Sequence, residues 1–254
     1  MAEQDKQLIP INWVNQINIQ VPPVPSRAHK GTITSIRNSI NVHAYLNDKG
    51  ELWIAATGLS TILRTDVQSA RFFIETLGSS DKIEYEGEIF VSGHQVAGQI
   101  FKSIEESGLK TRGVYLSFSE ECLKAARDSD KAKVLRGEYQ EFMEEQLSKL
   151  KKKRIKLFKI TIDELTGESL EKKSAEFSHI RSKAKFRDQA LDTENGLVVN
   201  KSTHRIITDS AAITEEHLFY LCQEKEWSLE WYPPYLEYLR SLEESPSDLL
   251  SEEE

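Results

Sequence analysis

The sequence predicts an α+β protein: a hairpin-and-helix region, a helical connector, and a second small strand-and-helix domain with flanking helices. Three observations predict it. Two hairpin-like segments, "INVHAYLNDKGELWIAAT" (40–57) and "KIEYEGEIFVSG" (82–93), are each followed by helix-like sequence. Between 116 and 154, apolar residues recur at spacings of three and four, the period of one helix face. Near the C-terminus, "AEFSHI" and "NGLVVN" flank a polar, basic loop and lead into "KSTHRIITD", which predicts strand, loop, strand, helix.

Taken in order, residues 1–30 read as an irregular arm, because "VPPVPS" (Val21–Ser26) favours polyproline conformation and blocks a regular helix. Residues 31–112 read as a recognition or scaffold domain. Its first hairpin turns at Asn47-Asp48-Lys49-Gly50. "TGLSTILRTD" and "VQSARFFIETLG" follow as short helices, the second ending at Gly78 as a C-cap. The second hairpin turns at Glu86-Gly87, and "HQVAGQIFKSIEESG" is a helix that stops at Gly108.

Residues 113–156 read as the connector. Ser119 is the expected N-cap, and "RDSD" and Gly137 are the places where the stretch breaks. Leu135, Tyr139, Phe142, Met143, Leu147 and Leu150 form one stripe, expected to pack on its own domain and less readily to serve a homodimer interface. In residues 157–254, "IKLFKITIDELTG" alternates and is β-branched, so it reads as a strand running into a turn. Asn200 or Ser202 is expected to cap the helix that starts at "KSTHRIITD". "EEHLFYLCQEKEW" and "YPPYLEYLRSLEE" read as two more helices before an acidic tail, "SPSDLLSEEE".

Composition narrows the classes. Charged residues make up 29% and hydrophobic residues 39%, as in globular proteins. No apolar run approaches the ~20 residues of a membrane helix, and the N-terminus shows no basic-then-apolar leader. A cytoplasmic protein with no membrane partner is expected. Cys122 and Cys222 form no CxxC pair. No G-x-x-x-x-G-K-[ST] loop, G-x-S-x-G elbow or kinase signature is present.

The net charge of -8 conceals a strong polarity. Lys149 to Arg187 carries 13 Lys/Arg against 5 Asp/Glu, while Glu215 to Glu254 carries 2 against 12. The basic segment can attract phosphates although the whole chain is acidic. A plainer role for "KLKKKRIK" (149–156) is to complement a helix C-terminus.

The stretch "SHIRSKAKFRDQALDTENGLVVNKSTH" (178–204) has chemical potential. His179 ends the first strand and His204 lies in the first turn of the helix, so the fold can bring them together. A phosphodiesterase needs one imidazole free to take a proton from water and a second neutral ligand for a divalent cation. The loop's Arg181, Lys183, Lys185 and Arg187 are candidates for holding neighbouring phosphates.

These residues resemble an HNH endonuclease, the ββα-metal or His-Me finger class. The matching elements are Thr166-Gly167-Glu168, Ser178-His179-Ile180, Asn195-Gly196-Leu197-Val198-Val199 and His204, within about 160–213. The resemblance implies His179 as general base, Asn195 as brace of the loop that carries it, and His204 as ligand of a divalent ion, Mg²⁺ in the first instance. It also implies double-stranded DNA as substrate, and a restriction or defence role in which a dimer cuts both strands. Many members place an acidic metal ligand just before the catalytic histidine; here Ser178 holds that position. Glu176, Asp192 and Asp209 are the candidates for the missing carboxylate. Zinc-binding cysteine pairs, present in many members, are absent. The alternative is a catalytically inactive DNA-binding regulator that keeps the fold without the metal. A third reading, a plain protein-interaction module, leans on the acidic tail.

The segment from "LNDKGELW" to "SGHQVAGQI" also faintly resembles the N-terminal pattern of phage BRO/KilA-like antirepressors, a hairpin, a helix and a second hairpin. That implies a DNA-binding module, although residues 40–110 are not strongly basic.

Overall fold

The computed structural model describes residues 8–10, 22–26, 28–107 and 111–243. The chain is mixed α+β and divides into two compact units, 1–141 and 142–254. The N-terminal arm lies mostly outside the described residues, as do the stop at Gly108 and the acidic tail. No described helix is long and apolar enough to cross a membrane.

In the first unit, β1 (Ile9–Pro10) precedes α1 (Lys30–His43), β2 (Ala44–Leu46) and β3 (Leu52–Ala55). A 3-10 turn at Ala56–Gly58 leads to α2 (Leu59–Ile62) and α3 (Val67–Glu75), then β4 (Lys82–Tyr85), β5 (Glu88–Ser92), α4 (Gly93–Ser107) and α5 (Thr111–Arg127). The strands form one antiparallel sheet in the order β1-β2-β3-β5-β4. The core lies between this sheet and the helices, with Ile36, Ile40, Ile54, Leu59, Ile62 and Ile100 fully buried.

Several expectations need correction. Residues 40–43 belong to α1, not to the first hairpin strand. Ile33, Ile36 and Ile40 recur at helical spacing and all three are buried, so tertiary burial wins over the β-branched propensity. The hairpin turn itself is as expected: Asn47 Oδ1 accepts from the Lys49 and Glu51 amides, and Gly50 has φ +67. A Cβ at Gly50 would meet the Ala132 carbonyl at 2.5 Å, so glycine is required twice over. Gly78 is not a C-cap; α3 ends at Glu75 with Thr76 in the capping position. Its N-terminus is capped by Asp66, which accepts from the Ser69 amide at 2.9 Å. Ser119 is not an N-cap, because α5 starts at Thr111 and Ser119 is buried mid-helix.

The connector breaks at Asp128–Ser129 and not at Gly137. α6 runs from Asp130 to Phe158. Residues 155–158 are therefore helix, not strand; Ile155 packs towards Leu170, Ala175 and Val198, and Lys159, at φ +54, ends the helix. Residues 160–175 form turns with one isolated bridge, Ile162 to Ser169.

The second unit contains β6 (Glu176–His179), β7 (Gly196–Val199), α7 (Lys201–Asp209), α8 (Glu215–Glu224) and α9 (Tyr232–Glu243). β6 and β7 pair antiparallel, with Ser178 opposite Leu197 and His179 opposite Gly196. One face of this ribbon packs Leu197 and Val199 against Ile207 of α7 and against Leu218, Trp231 and Tyr235. Val198, on the other face, joins Leu170 and Ala175. β7 is buried along its whole length.

Candidate active site in the C-terminal unit

Two carboxylates that motif reading passes over hold the strand–strand–helix core together. Asp163 is fully buried. Its Oδ1 accepts from the Leu165 and Thr166 amides, and its Oδ2 accepts from the Asn200 amide and Thr203 Oγ1. It ties the Thr166-Gly167-Glu168 turn, where Gly167 has φ +73, to the β7–α7 junction. Asn200 sits at the N-cap of α7 but its side chain does not cap. It instead accepts from the Glu171 amide and donates to the Ser169 carbonyl. Glu164 accepts from the Val198 amide and from Arg154 at 2.7 Å, closing the outer edge of β7. Arg154 also donates to the Thr193 carbonyl at 2.7 Å.

The loop between the strands is closed by Asn195, which is fully buried. Its Oδ1 accepts from the Arg181 amide at 2.9 Å and the Tyr235 hydroxyl at 3.0 Å. Its Nδ2 donates to the carbonyls of Arg181 and Gln189, each at 3.1 Å. The side chain is fully satisfied and spans the loop from its first residue to its last turn. Next to it, Gly196 leaves room for the Phe177 ring; a Cβ there would meet that ring at 2.3 Å and the Ser178 carbonyl at 2.9 Å. The Asn-Gly pair is therefore more than a turn signal.

Phe177 packs edge-on to His179, with centroids 5.0 Å apart. His179 Nε2 lies 2.9 Å from the Ala190 carbonyl. A carbonyl only accepts, so Nε2 carries the proton and donates. In the neutral ring, Nδ1 then holds the lone pair, and among the described residues it has no hydrogen-bond partner. Burial pushes the His179 pKa below its ordinary value, and the nearby Lys183 and His204 push the same way against the carbonyl bond. The ring is neutral at neutral pH.

His179 lines a cleft of about 400 Å³ together with Glu176, His204, Lys151 and Lys183. His204 Nδ1 contacts Glu176 Oε2. With Nδ1–H donated to the carboxylate, Nε2 of His204 is the nitrogen that can ligate. Glu176 is two residues before Ser178, so the period of two puts both on one strand face. Glu176 thus stands one pleat before Ser178, against His204 of α7.

Ser178 itself, the expected metal ligand, is 3% exposed and is not part of the cleft wall. Its hydroxyl is shut into the strand face, out of reach of an ion in the cleft. Of the other carboxylates, Asp192 accepts from the Tyr238 hydroxyl at 2.6 Å, and Asp209 is exposed opposite Arg205. Neither lines the cleft. Arg181 is also removed from the phosphate-binding candidates. Its guanidinium pairs with Glu215, a contact that holds the Glu215 carboxyl below the usual range, and stacks 4.8 Å from the Phe186 centroid. Lys183, Lys185 and Arg187 are exposed.

The donor set near His204 is one imidazole and one carboxylate; the described residues contain no group of three or more metal-holding side chains. With Glu176 on Nδ1, the protein offers an ion one imidazole nitrogen, His204 Nε2, and the other ligands would be waters and substrate phosphate oxygens. Comparison with known proteins finds no matching family model, no matching curated protein and no matching solved structure.

Proposed function

We propose that the C-terminal unit is a metal-dependent endonuclease of the HNH type that hydrolyses DNA phosphodiester bonds, acting in restriction or defence. The observation that carries the reading is the position of His179: its Nε2 is bonded to the Ala190 carbonyl, which leaves Nδ1 as the basic nitrogen of a ring that lines a cleft with His204, Glu176 and two lysines.

In this mechanism His179 Nδ1 takes a proton from a water molecule as the water oxygen bonds to phosphorus. The P–O bond to the leaving oxygen breaks, and that oxygen takes a proton from solvent. The Ala190 carbonyl holds the ring and stabilises the imidazolium that forms. Asn195 keeps the loop, and hence Ala190, in place through the Gln189 carbonyl. Lys151 and Lys183 offset phosphate charge at the cleft wall. His204 would hold the divalent ion through Nε2, with Glu176 orienting the ring through Nδ1; when bound, the ion offsets charge on the phosphate and the leaving oxygen.

The rival reading, a DNA-binding protein without catalysis, rests on the direct Glu176–His204 contact, which satisfies both groups without a metal. One assay separates the two. Plasmid DNA incubated with the full chain in Mg²⁺, Mn²⁺ or EDTA is expected to be cut only when a metal is present. DNA retarded on a gel but uncut in every condition would establish the rival.

A further inference from the structure

The nuclease reading leaves open how the nucleic acid lies across the cleft. The cations around it differ in availability. Arg154 and Arg181 are consumed by Glu164 and Glu215, and Lys149 is paired with Glu145 at 2.6 Å. Lys151, on the α6 wall, donates to the Ala175 carbonyl at 2.8 Å and the Lys172 carbonyl at 3.4 Å. These bonds pin the 171–174 turn against the cleft, so the backbone of Lys172 and Lys173 is fixed beside it. Both side chains are exposed, and neither has an ion-pair partner among the described residues. Glu171, their acidic neighbour, is turned onto Ser174 Oγ at 2.7 Å. On the loop side, Lys183 lines the cleft and is likewise exposed and unpaired among the described residues.

We propose that a nucleic-acid backbone crosses the cleft between Lys183 and the 171–174 turn, with Lys172 and Lys173 each holding a phosphate on the α6 side. The proposal rests on the nuclease reading only for the identity of the cleft's ligand. Lysines suit this role. They are flexible point charges that hold phosphates without reading sequence, whereas the two planar, fork-shaped arginines are locked in structural pairs. Cations on separate segments flanking one cleft match a ligand that carries charge at regular intervals along its length.

The test is binding of a short labelled duplex to the full chain in EDTA, where no cutting occurs, over a salt series of about 50 to 200 mM. The double variant Lys172→Gln/Lys173→Gln is expected to flatten the slope of log affinity against log salt by about 1.8, at roughly 0.9 for each phosphate no longer neutralised. Lys183→Gln alone is expected to flatten it by about 0.9. Lys102→Gln, an exposed lysine of the other unit, is expected to leave the slope unchanged. Slopes unchanged in all three variants, or no salt-dependent binding by wild type, overturns the proposal. So does polyglutamate competing as well as DNA, which would make the surface a site for acidic protein. A flattened slope in a protein that never cuts DNA upholds this surface and refutes the nuclease reading.

Discussion

A single proton on His179 Nε2 decides what the cleft can do. With Nε2–H bonded to Ala190, the base is Nδ1, and its pKa lies below the ordinary 6.5 because the ring is buried. The rate of cleavage is therefore expected to be flat with pH above about 6.5 and to fall only in more acid solution. The same shift has a consequence for stability. Below 6.5 the unfolded chain binds a proton that the folded ring refuses, so the histidine's contribution is present above 6.5 and is lost as pH falls through the lower folded value. Denaturant melts of wild type and His179→Gln, compared across that range, measure the difference. The metal ligands separate cleanly by substitution. Glu176→Gln is expected to raise the Mg²⁺ concentration needed for cleavage by about tenfold or more, as loss of a ligand or its orienting partner does. Ser178→Ala is expected to leave metal dependence unchanged, because Ser178 is shut out of the cleft. The reverse result in metal titrations would return the site to the position next to His179.

Among the elements, the strand–loop–strand–helix arrangement was the most legible, since β-rich runs, a polar loop and a helix start follow one another within a few dozen residues. His179, expected at the end of a strand, and His204, expected in the first turn of a helix, both line one cleft. What escaped motif reading is the support. Asp163 and Glu164 belong to no periodic pattern, yet they bind amides and side chains more than thirty residues away. Long-range side chain–backbone bonds of this kind leave no local signal. The α1 helix escaped for a different reason: its isoleucines suit strands, and only burial at helical spacing decides the outcome. Loss of Glu164 would strand Arg154, which is 8% exposed. Glu164→Ala is expected to cost about 3 kcal/mol in urea or guanidinium unfolding. Gly196→Ala is expected to destabilise by about 2 kcal/mol or more, since the new Cβ meets backbone as well as the Phe177 ring. A neutral result for Gly196→Ala would mean that Phe177 and the strand beside it can move freely.

Over the whole molecule, the charge polarity seen in the sequence has a structural meaning within the C-terminal unit. The basic excess sits on exposed lysines of α6, the 171–174 turn and the loop, while Arg154 and Arg181 are neutralised by Glu164 and Glu215. The described residues place His179 and His204 in a single cleft, so one chain is expected to cut one strand per encounter. Supercoiled plasmid should then pass through a nicked form before linear DNA appears, and linear product should rise more than proportionally with enzyme concentration if two chains cooperate. Whether His179 is the base of a metal-dependent hydrolysis is decided by single-turnover cleavage by wild type and His179→Ala in Mg²⁺ and in EDTA. Wild type is expected to cleave with Mg²⁺ and not in EDTA, and the variant to lose about 10²- to 10⁴-fold with DNA binding retained. Equal cleavage by the two proteins, or cleavage by neither while both bind DNA, would contradict that role for His179.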